Sequence, residues 1–260
     1  MKKNRFGPIW SAGILLIFVS LACSSIQAVP PTATALPTSI STSLPEATAS
    51  PMSTLLPIET PDVVATQQAS DLQTRIQGYV QNGYLTSNQG NFFNLQDATF
   101  DLAKMNYFNF QDSGYEDKTK NFAAWAHIKL SSASAVNYPE YSGCGFGFRL
   151  TDNGDTYTAM VVKDRVLVTS CRNHSCNEVG KTRGSGRLSY EGDFEADVEL
   201  IVNDTNVNFL VEGKPIGEYT LSSDYLTDPG YFTYTQISGT NKDYGTRCEF
   251  SNAGLWIPQP

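Results

Sequence analysis

Residues 144–170 read CGFGFRLTDNGDTYTAMVVKDRVLVTS and carry the clearest structural pattern of the chain. Two polar turn signals, DNGD at residues 152–155 and KD at residues 163–164, divide it into three runs rich in β-branched and aromatic residues. Such runs, separated by short Gly, Asn and Asp turns, are typical of antiparallel hairpins. We therefore predict a three-stranded meander over residues 144–150, 156–162 and 165–170.

The meander restricts how the cysteines can pair. Four cysteines remain once Cys23, in the N-terminal signal described below, is set aside: Cys144, Cys171, Cys176 and Cys248. An even number of cysteines in an exported chain implies disulfides. The meander places Cys144 near residue 163 but Cys171 beside residue 156, at the opposite end. We therefore predict the pairs Cys171–Cys176 and Cys144–Cys248.

Short alternating runs continue the β pattern on both sides of the meander. Residues 122–130 carry small and apolar side chains on one face, and Trp125, His127 and Lys129 on the other. Further strands are predicted at residues 194–202, 207–211, 216–221, 231–237 and 247–257. Many short strands with turns between them predict an all-β, antiparallel two-sheet sandwich. Only residues 69–79 indicate a helix, and residues 91–120 and 175–190 are predicted to contain no strand.

The order of the motifs resembles laminin-G-like and concanavalin-type jelly rolls. GFGFRL at residues 145–150, VEGKPIG at residues 211–217 and FSN at residues 250–252 carry the resemblance. These domains typically show G-F-x-F-R, then V-x-G-x-x-I-G, and F-x-N in the last strand. The resemblance covers about residues 122–256 and implies a jelly-roll sandwich. It also implies glycan binding, which is frequent among such domains of bacterial surface proteins, or glycosidase activity of the laminarinase type.

The first 22 residues resemble the signal peptide of a bacterial lipoprotein. Lys2, Lys3 and Arg5 precede an apolar stretch too short for an ordinary membrane span. Residues 19–23, VSLAC, are similar to a lipobox, which implies that Cys23 is acylated and anchors the protein to membrane lipid outside the cytoplasm. An uncleaved N-terminal anchor helix is the alternative.

Residues 23–68 are dominated by Pro, Thr, Ser and Ala. No apolar period of a strand or a helix runs through them, so we predict a disordered tether. Residues 69–260 then form one β-sandwich domain, since sandwiches of this length are common.

The charge of the chain narrows the classes of partner. The sequence has 18 Lys and Arg residues against 26 Asp and Glu residues, a formal net charge of −8. Because it has no basic cluster, nucleic acid is not an expected partner. A neutral glycan or envelope polysaccharide is compatible with this charge, and we expect a carbohydrate-binding or surface-structural module.

Trp125 and His127 are the candidate ligand-binding residues. Both lie on the polar face of the predicted strand at residues 122–130, where an aromatic ring can stack on a sugar. Packing between sheet neighbours would explain the same residues without a ligand.

Residues 191–195, EGDFE, raise the alternative of a glycoside hydrolase. The resemblance to laminarinase-type enzymes implies Glu191 as nucleophile, Asp193 as helper and Glu195 as acid/base. A retaining mechanism needs carboxyl groups about 5–5.5 Å apart, whereas residues i and i+4 of a flat strand are roughly 13 Å apart. The acidic row also continues through Asp197 and Glu199, as in a half-solvated strand. We favour a solvated face, and hence a binding module over an enzyme.

Two motifs suggest metals, but each has a simpler explanation. Cys171, His174 and Cys176 have a spacing suited to zinc, although a disulfide is the expected state of the two cysteines. Residues 152–155 supply carboxylates for calcium, although they suffice as a hairpin turn. We predict no cofactor, with calcium as the alternative. Two histidines and no Gly-x-Ser-x-Gly motif leave little for a serine-hydrolase triad.

Overall fold

The computed structural model describes residues 63–133, 142–162, 164–173, 175–188 and 193–259. The chain divides into a unit Met1–Ile58, which lies outside these ranges, and a unit Glu59–Pro260. The predicted signal peptide, Cys23 and nearly all of the predicted tether therefore lie outside the described residues. Among the residues described, no helix has the length and apolar character needed to cross a membrane.

One helix and a series of strands build the described part of the second unit. Their bounds are α1 Val63–Gln81, β1 Gly90–Asn94, β2 Ala98–Leu102, β3 Tyr107–Asp112, β4 Phe122–Ser132, β5 Gly143–Leu150, β6 Thr156–Val162, β7 Arg165–Arg172, β8 Ser175–Glu178, β9 Lys181–Arg183, β10 Phe194–Asn203, β11 Asn206–Val211, β12 Lys214–Thr220, β13 Tyr231–Ser238 and β14 Thr246–Pro258.

The strands form two antiparallel sheets that pack face to face. The eight-stranded sheet has the order β1-β14-β4-β10-β11-β12-β9, with β2 also paired to β14. The six-stranded sheet has the order β3-β13-β5-β6-β7-β8. The predicted antiparallel two-sheet β-sandwich is thus confirmed.

The core lies between the sheets because side chains alternate along each strand. In β4 the predicted inner face is buried, including Phe122 and Ile128, and it meets Phe146 and Phe148 of β5. The predicted meander is present as β5, β6 and β7, with Cys144 opposite Val161. The strands predicted after residue 194 are also present, within a few residues at each end.

Both predicted disulfides are present. Cys144 of β5 is bonded to Cys248 of β14, so this bridge joins the six-stranded sheet to the eight-stranded sheet through the core. Cys171 and Cys176 occupy opposite positions of β7 and β8 and are bonded to each other. Their sulfurs are therefore not available to zinc as thiolates, and His174 lies outside the described residues.

The prediction that residues 91–120 and 175–190 contain no strand is wrong. The first segment holds most of β1 and all of β2 and β3, and the second holds β8 and β9. These strands are short and contain no fully buried residue, so their apolar signal in the sequence is weak. They are held by pairing with distant strands, as when β1 and β2 both pair with β14.

The helix is longer than predicted. It was expected at residues 69–79 but spans Val63–Gln81, so it begins inside the predicted tether. Ile76 and Tyr79 pack against Ala123, Ile201 and Trp256 on the outer face of the eight-stranded sheet. Tertiary packing of this kind stabilises a helix whose own sequence signal is weak.

Candidate ligand-binding site

A pocket of about 860 Å³ lies between α1 and the outer face of the eight-stranded sheet. Small-molecule sites in proteins commonly have volumes of about 300–1,000 Å³. Its lining comes from the helix, from β1 and the residues after it, from β4 and β10, and from β14. The lining residues are Gln68, Asp71, Leu72, Arg75, Phe92, Asn94, Leu95, Gln96, Asp97, Trp125, Ala126, His127, Asp197, Glu199, Asn252 and Ala253.

The register of β4 and β10 builds the floor of this pocket. Trp125 is opposite Glu199, and His127 is opposite Asp197. Alternation turns all four side chains away from the core, onto the same outer face. Trp125 and His127, predicted separately from the acidic row, thus lie beside it.

Trp125 is held on three sides. Its ring stacks with that of Phe92 at 5.6 Å between centroids, and the Arg75 guanidinium lies 4.7 Å from the ring centroid. Gly254 allows both rings to approach β14, because a Cβ there would stand 2.6 Å from Trp125 Cζ2 and 2.8 Å from Phe92 Cε2. Trp125 is half-buried, whereas 38% of Phe92 is exposed. The exposed fraction of Phe92 is therefore larger than that of Trp125.

His127 is clamped by two carboxylates. Nδ1 lies 2.9 Å from Asp197 Oδ1, and Nε2 lies 3.4 Å from Glu195 Oε1. A carboxylate only accepts hydrogen bonds, so both contacts together require the protonated ring. The hydrogen bond to Asp197, above all, raises the pKa of His127 above its usual value; partial burial opposes this, and Glu195 adds to it. Asp197 is therefore the main group that favours the imidazolium.

The prediction that the acidic side chains of β10 all face solvent is wrong at Glu199. Glu195 and Asp197 are exposed, but only 8% of Glu199 is, because α1 covers this part of the sheet. Tyr79 of α1 lies close to it: burial first, and then the negative charge of Glu199, hold the pKa of Tyr79 far above its ordinary value. Glu199 is thus a buried carboxylate at the edge of a pocket.

A bulge in β14 supplies one side of the pocket. Its register against β4 shifts between Ser251 and Gly254, and Asn252 adopts a positive φ of 51°. The Asn252 N–H donates to Asp97 Oδ1 at 3.1 Å, which fixes the loop after β1 against the bulge. Bulges commonly redirect side chains next to functional sites.

The structure describes two of the three residues predicted from the resemblance to laminarinase-type enzymes, Asp193 and Glu195. Glu191 lies outside the described residues, Asp193 is exposed just before β10, and Glu195 is exposed beside His127. Neither Asp193 nor Glu195 lines the pocket. The acid/base pair that this hypothesis needs is therefore not assembled at the pocket by the residues described.

Residues 152–155, for which calcium binding was the alternative to a plain hairpin turn, make contacts within the protein. The Gly154 N–H donates to Thr151 O at 2.9 Å, which closes the turn, and Asp152 lies 3.7 Å from Lys118. Across the described ranges, no group of three or more His, Cys, Asp or Glu residues is arranged to hold a metal ion.

Sequence reasoning missed Arg75, Phe92, Asp97 and Asn252 as site residues. Three of them lie in a helix or in segments read as irregular, and their approach to β4 depends on tertiary packing. Asn252 did have a signal, since the motif FSN and the following Gly254 interrupt the alternation of the last strand.

Comparison with known proteins leaves the family open. No protein-family model and no curated protein matches the chain. Among solved structures, the carbohydrate-binding module CBM66 from Bacillus subtilis is similar with a TM-score of 0.44 and 11% identity, covering 64% of this chain and 95% of that one. A β-fructofuranosidase of Aspergillus kawachii complexed with glycerol has a TM-score of 0.43 and 15% identity, covering 68% of this chain but only 29% of that one. Sheep galectin-11 in complex with glycerol has a TM-score of 0.35 and 11% identity, covering 58% of this chain and 98% of that one.

Structural similarities at this level do not identify a ligand or an activity for this protein. The two antiparallel sheets themselves define the fold class.

Proposed function

We propose that the protein is a saccharide-binding module and that the pocket beneath α1 is its binding site. The observation that carries the proposal is the lining of this pocket, where the rings of Phe92 and Trp125 lie among carboxylate, amide and guanidinium groups. Its volume of about 860 Å³ suits a ligand of one or a few sugar units.

The chemistry of a saccharide matches this lining. Each sugar hydroxyl both donates and accepts hydrogen bonds, so it needs acceptors and donors within the same site. Asp97 and Asp197 offer carboxylate acceptors, whereas Asn94 and Asn252 offer both kinds of group. The apolar face of a pyranose ring can lie on the exposed ring of Phe92, which Trp125 supports from below.

Binding is better supported than hydrolysis. The described members of the predicted catalytic row, Asp193 and Glu195, lie outside the pocket lining. Two of the carboxylates that do line it are tied into the site, since Asp197 accepts from His127 and Asp97 from the Asn252 N–H. Groups held in this way position a ligand rather than transfer a proton to it.

A glycan array probed with the full chain tests the proposal. We expect binding to one class of glycan, and a loss of at least about tenfold in affinity for it in Asp197→Asn, because a hydrogen bond to a charged group is lost. Asp228→Asn, which changes an exposed carboxylate outside the pocket, serves as the matched control. Absence of binding to any glycan, or equal affinities in the two variants, would reject the site and favour a structural module of the envelope.

The proposal includes an extracytoplasmic, lipid-anchored location. Two disulfides support the extracytoplasmic location, since such bonds persist outside the cytoplasm, and the lipobox-like residues 19–23 support the lipid anchor. We expect wild-type protein made in bacteria to incorporate labelled palmitate and Cys23→Ser to accumulate as an unlabelled precursor. Equal labelling of both proteins would contradict acylation at Cys23.

A further inference from the structure

We infer that the saccharide bound in this pocket carries a free amine, as in a de-N-acetylated hexosamine. The inference rests on the proposed function and concerns the same pocket. It specifies the charge of the ligand.

Carboxylates outnumber the cationic groups of the pocket. Two side chains, Arg75 and His127, can be positive. The carboxylates of the lining are Asp71, Asp97, Asp197 and Glu199. Even with His127 protonated the lining keeps an excess of negative charge, which opposes uronic acids and sulfated sugars and attracts an ammonium group.

The two cationic groups are already engaged within the protein. Arg75 lies over the ring of Trp125, and His127 is held between Asp197 and Glu195. The hydrogen bond from His127 occupies one oxygen of Asp197, and a carboxylate has room for several donors. A ligand ammonium, with three donors, fits this remaining capacity better than a hydroxyl with one.

Glu199 is the residue that most favours a cation. It is 92% buried, since 8% of it is exposed, and it lines the pocket. Of the ion pairs formed by the described residues, none involves Glu199. A buried carboxylate without a paired cation is costly. Burial first, and then the charge of Glu199, raise the pKa of the neighbouring Tyr79, while the smaller effect of the charge of Arg75 acts in the opposite direction. Arg75 therefore offsets the charge of Glu199 only in part.

The position of Glu199 agrees with an ammonium site. Asp197 is two residues away on the same face of β10, so the two Cα atoms are roughly 7 Å apart and a cation can lie between their side chains. Trp125 lies directly opposite Glu199 in β4, and its ring is already in contact with the Arg75 guanidinium and the Phe92 ring. The two carboxylates are therefore the groups that would bind the ammonium, through charge-assisted hydrogen bonds.

Calorimetry with two oligosaccharides of equal length tests the inference. The full chain is titrated with a glucosamine oligomer and with the matching N-acetylglucosamine oligomer, which differ only in the charge and acylation of the nitrogen. We expect the glucosamine oligomer to bind at least about tenfold more tightly at low salt, and this advantage to shrink as salt screens the charges.

The Glu199→Gln variant tests whether Glu199 is responsible for the preference for the glucosamine oligomer. We expect it to lower affinity for the glucosamine oligomer by about tenfold or more while changing affinity for the N-acetylated oligomer by less than about threefold. Glu249→Gln removes the same charge from the outer face of the same sheet, outside the pocket lining, and is expected to leave both affinities unchanged. Equal effects of Glu199→Gln and Glu249→Gln would overturn the assignment to Glu199, because the preference would then depend only on the overall charge of the protein.

The outcomes separate this inference from the proposed function. Equal binding of both oligomers, or preference for the N-acetylated one, overturns the amine and leaves a saccharide site. Binding of neither oligomer also overturns the amine, while the glycan array decides on saccharides independently. Binding of an oligolysine peptide in preference to both oligomers overturns the amino sugar and points to a cationic protein segment.

Discussion

Replacing both Cys144 and Cys248 by Ala is expected to lower the free energy of unfolding by about 4–5 kcal/mol. The two residues are 104 positions apart, so their bond closes a long loop in the unfolded chain and strongly reduces its conformational entropy. The bridge also joins strands of opposite sheets through the core, where both cysteines are fully buried. A loss of this size is a large share of the stability of an ordinary domain.

The second disulfide provides the control. Cys171 and Cys176 are five positions apart, so the double Ala variant of this pair is expected to lose about 2 kcal/mol in the same model. Denaturant unfolding of the full chain, followed by tryptophan fluorescence, measures both losses. Equal losses, or a larger loss for Cys171 and Cys176, would contradict the assigned role of the inter-sheet bridge.

The central meander could be predicted from sequence because its signals are local. β5, β6 and β7 follow one another with turns of a few polar residues, so alternation and turn chemistry decide their register. That register placed Cys144 and Cys171 at opposite ends, and this was enough to select the disulfide pairing that the structure shows.

The edge strands could not be predicted in the same way. β1, β2 and β3 are stabilised by partners that follow more than a hundred residues later in the chain. They are also short, with no fully buried residue, so each carries little apolar signal of its own. Phe108 and Phe110 of β3, two residues apart, were the strongest local sign that a strand had been missed.

The candidate site was predicted only as separate parts. Trp125, His127 and the acidic row were each noticed, and the register of β4 and β10 brings them together. What alternation could not show is the helix above them. By covering Glu199 and adding Arg75, α1 converts a flat polar surface into a pocket.

Arg149 is the second position at which we expect a large effect. It is the Arg of the GFGFRL motif and stands near the end of β5, with only 1% of the residue exposed and a positive φ of 52°. Nη1 donates to Leu226 O at 3.0 Å, and Nη2 donates to Asp204 O and, at 3.5 Å, to Lys120 O. One side chain therefore ties together the segment before β4, the turn between β10 and β11, and the loop before β13.

Arg149→Met is expected to lower the free energy of unfolding by about 3–5 kcal/mol, because hydrogen bonds from a charged donor each contribute about 1.5–3 kcal/mol and the carbonyls lose their partner. Met has a similar length, so packing is largely kept while the donors are removed. Arg149→Lys keeps the charge but not the planar fork of donors, so we expect an intermediate loss.

Arg183→Met controls for the loss of a positive charge, since Arg183 has 80% of its side chain exposed and its loss should change stability by no more than about 0.5 kcal/mol. Denaturant unfolding of the three variants measures the order of the losses. Wild-type stability in Arg149→Met would mean that water replaces the guanidinium without cost. A loss in Arg149→Lys as large as in Arg149→Met would show that the geometry of the fork, rather than the charge, holds the three loops together.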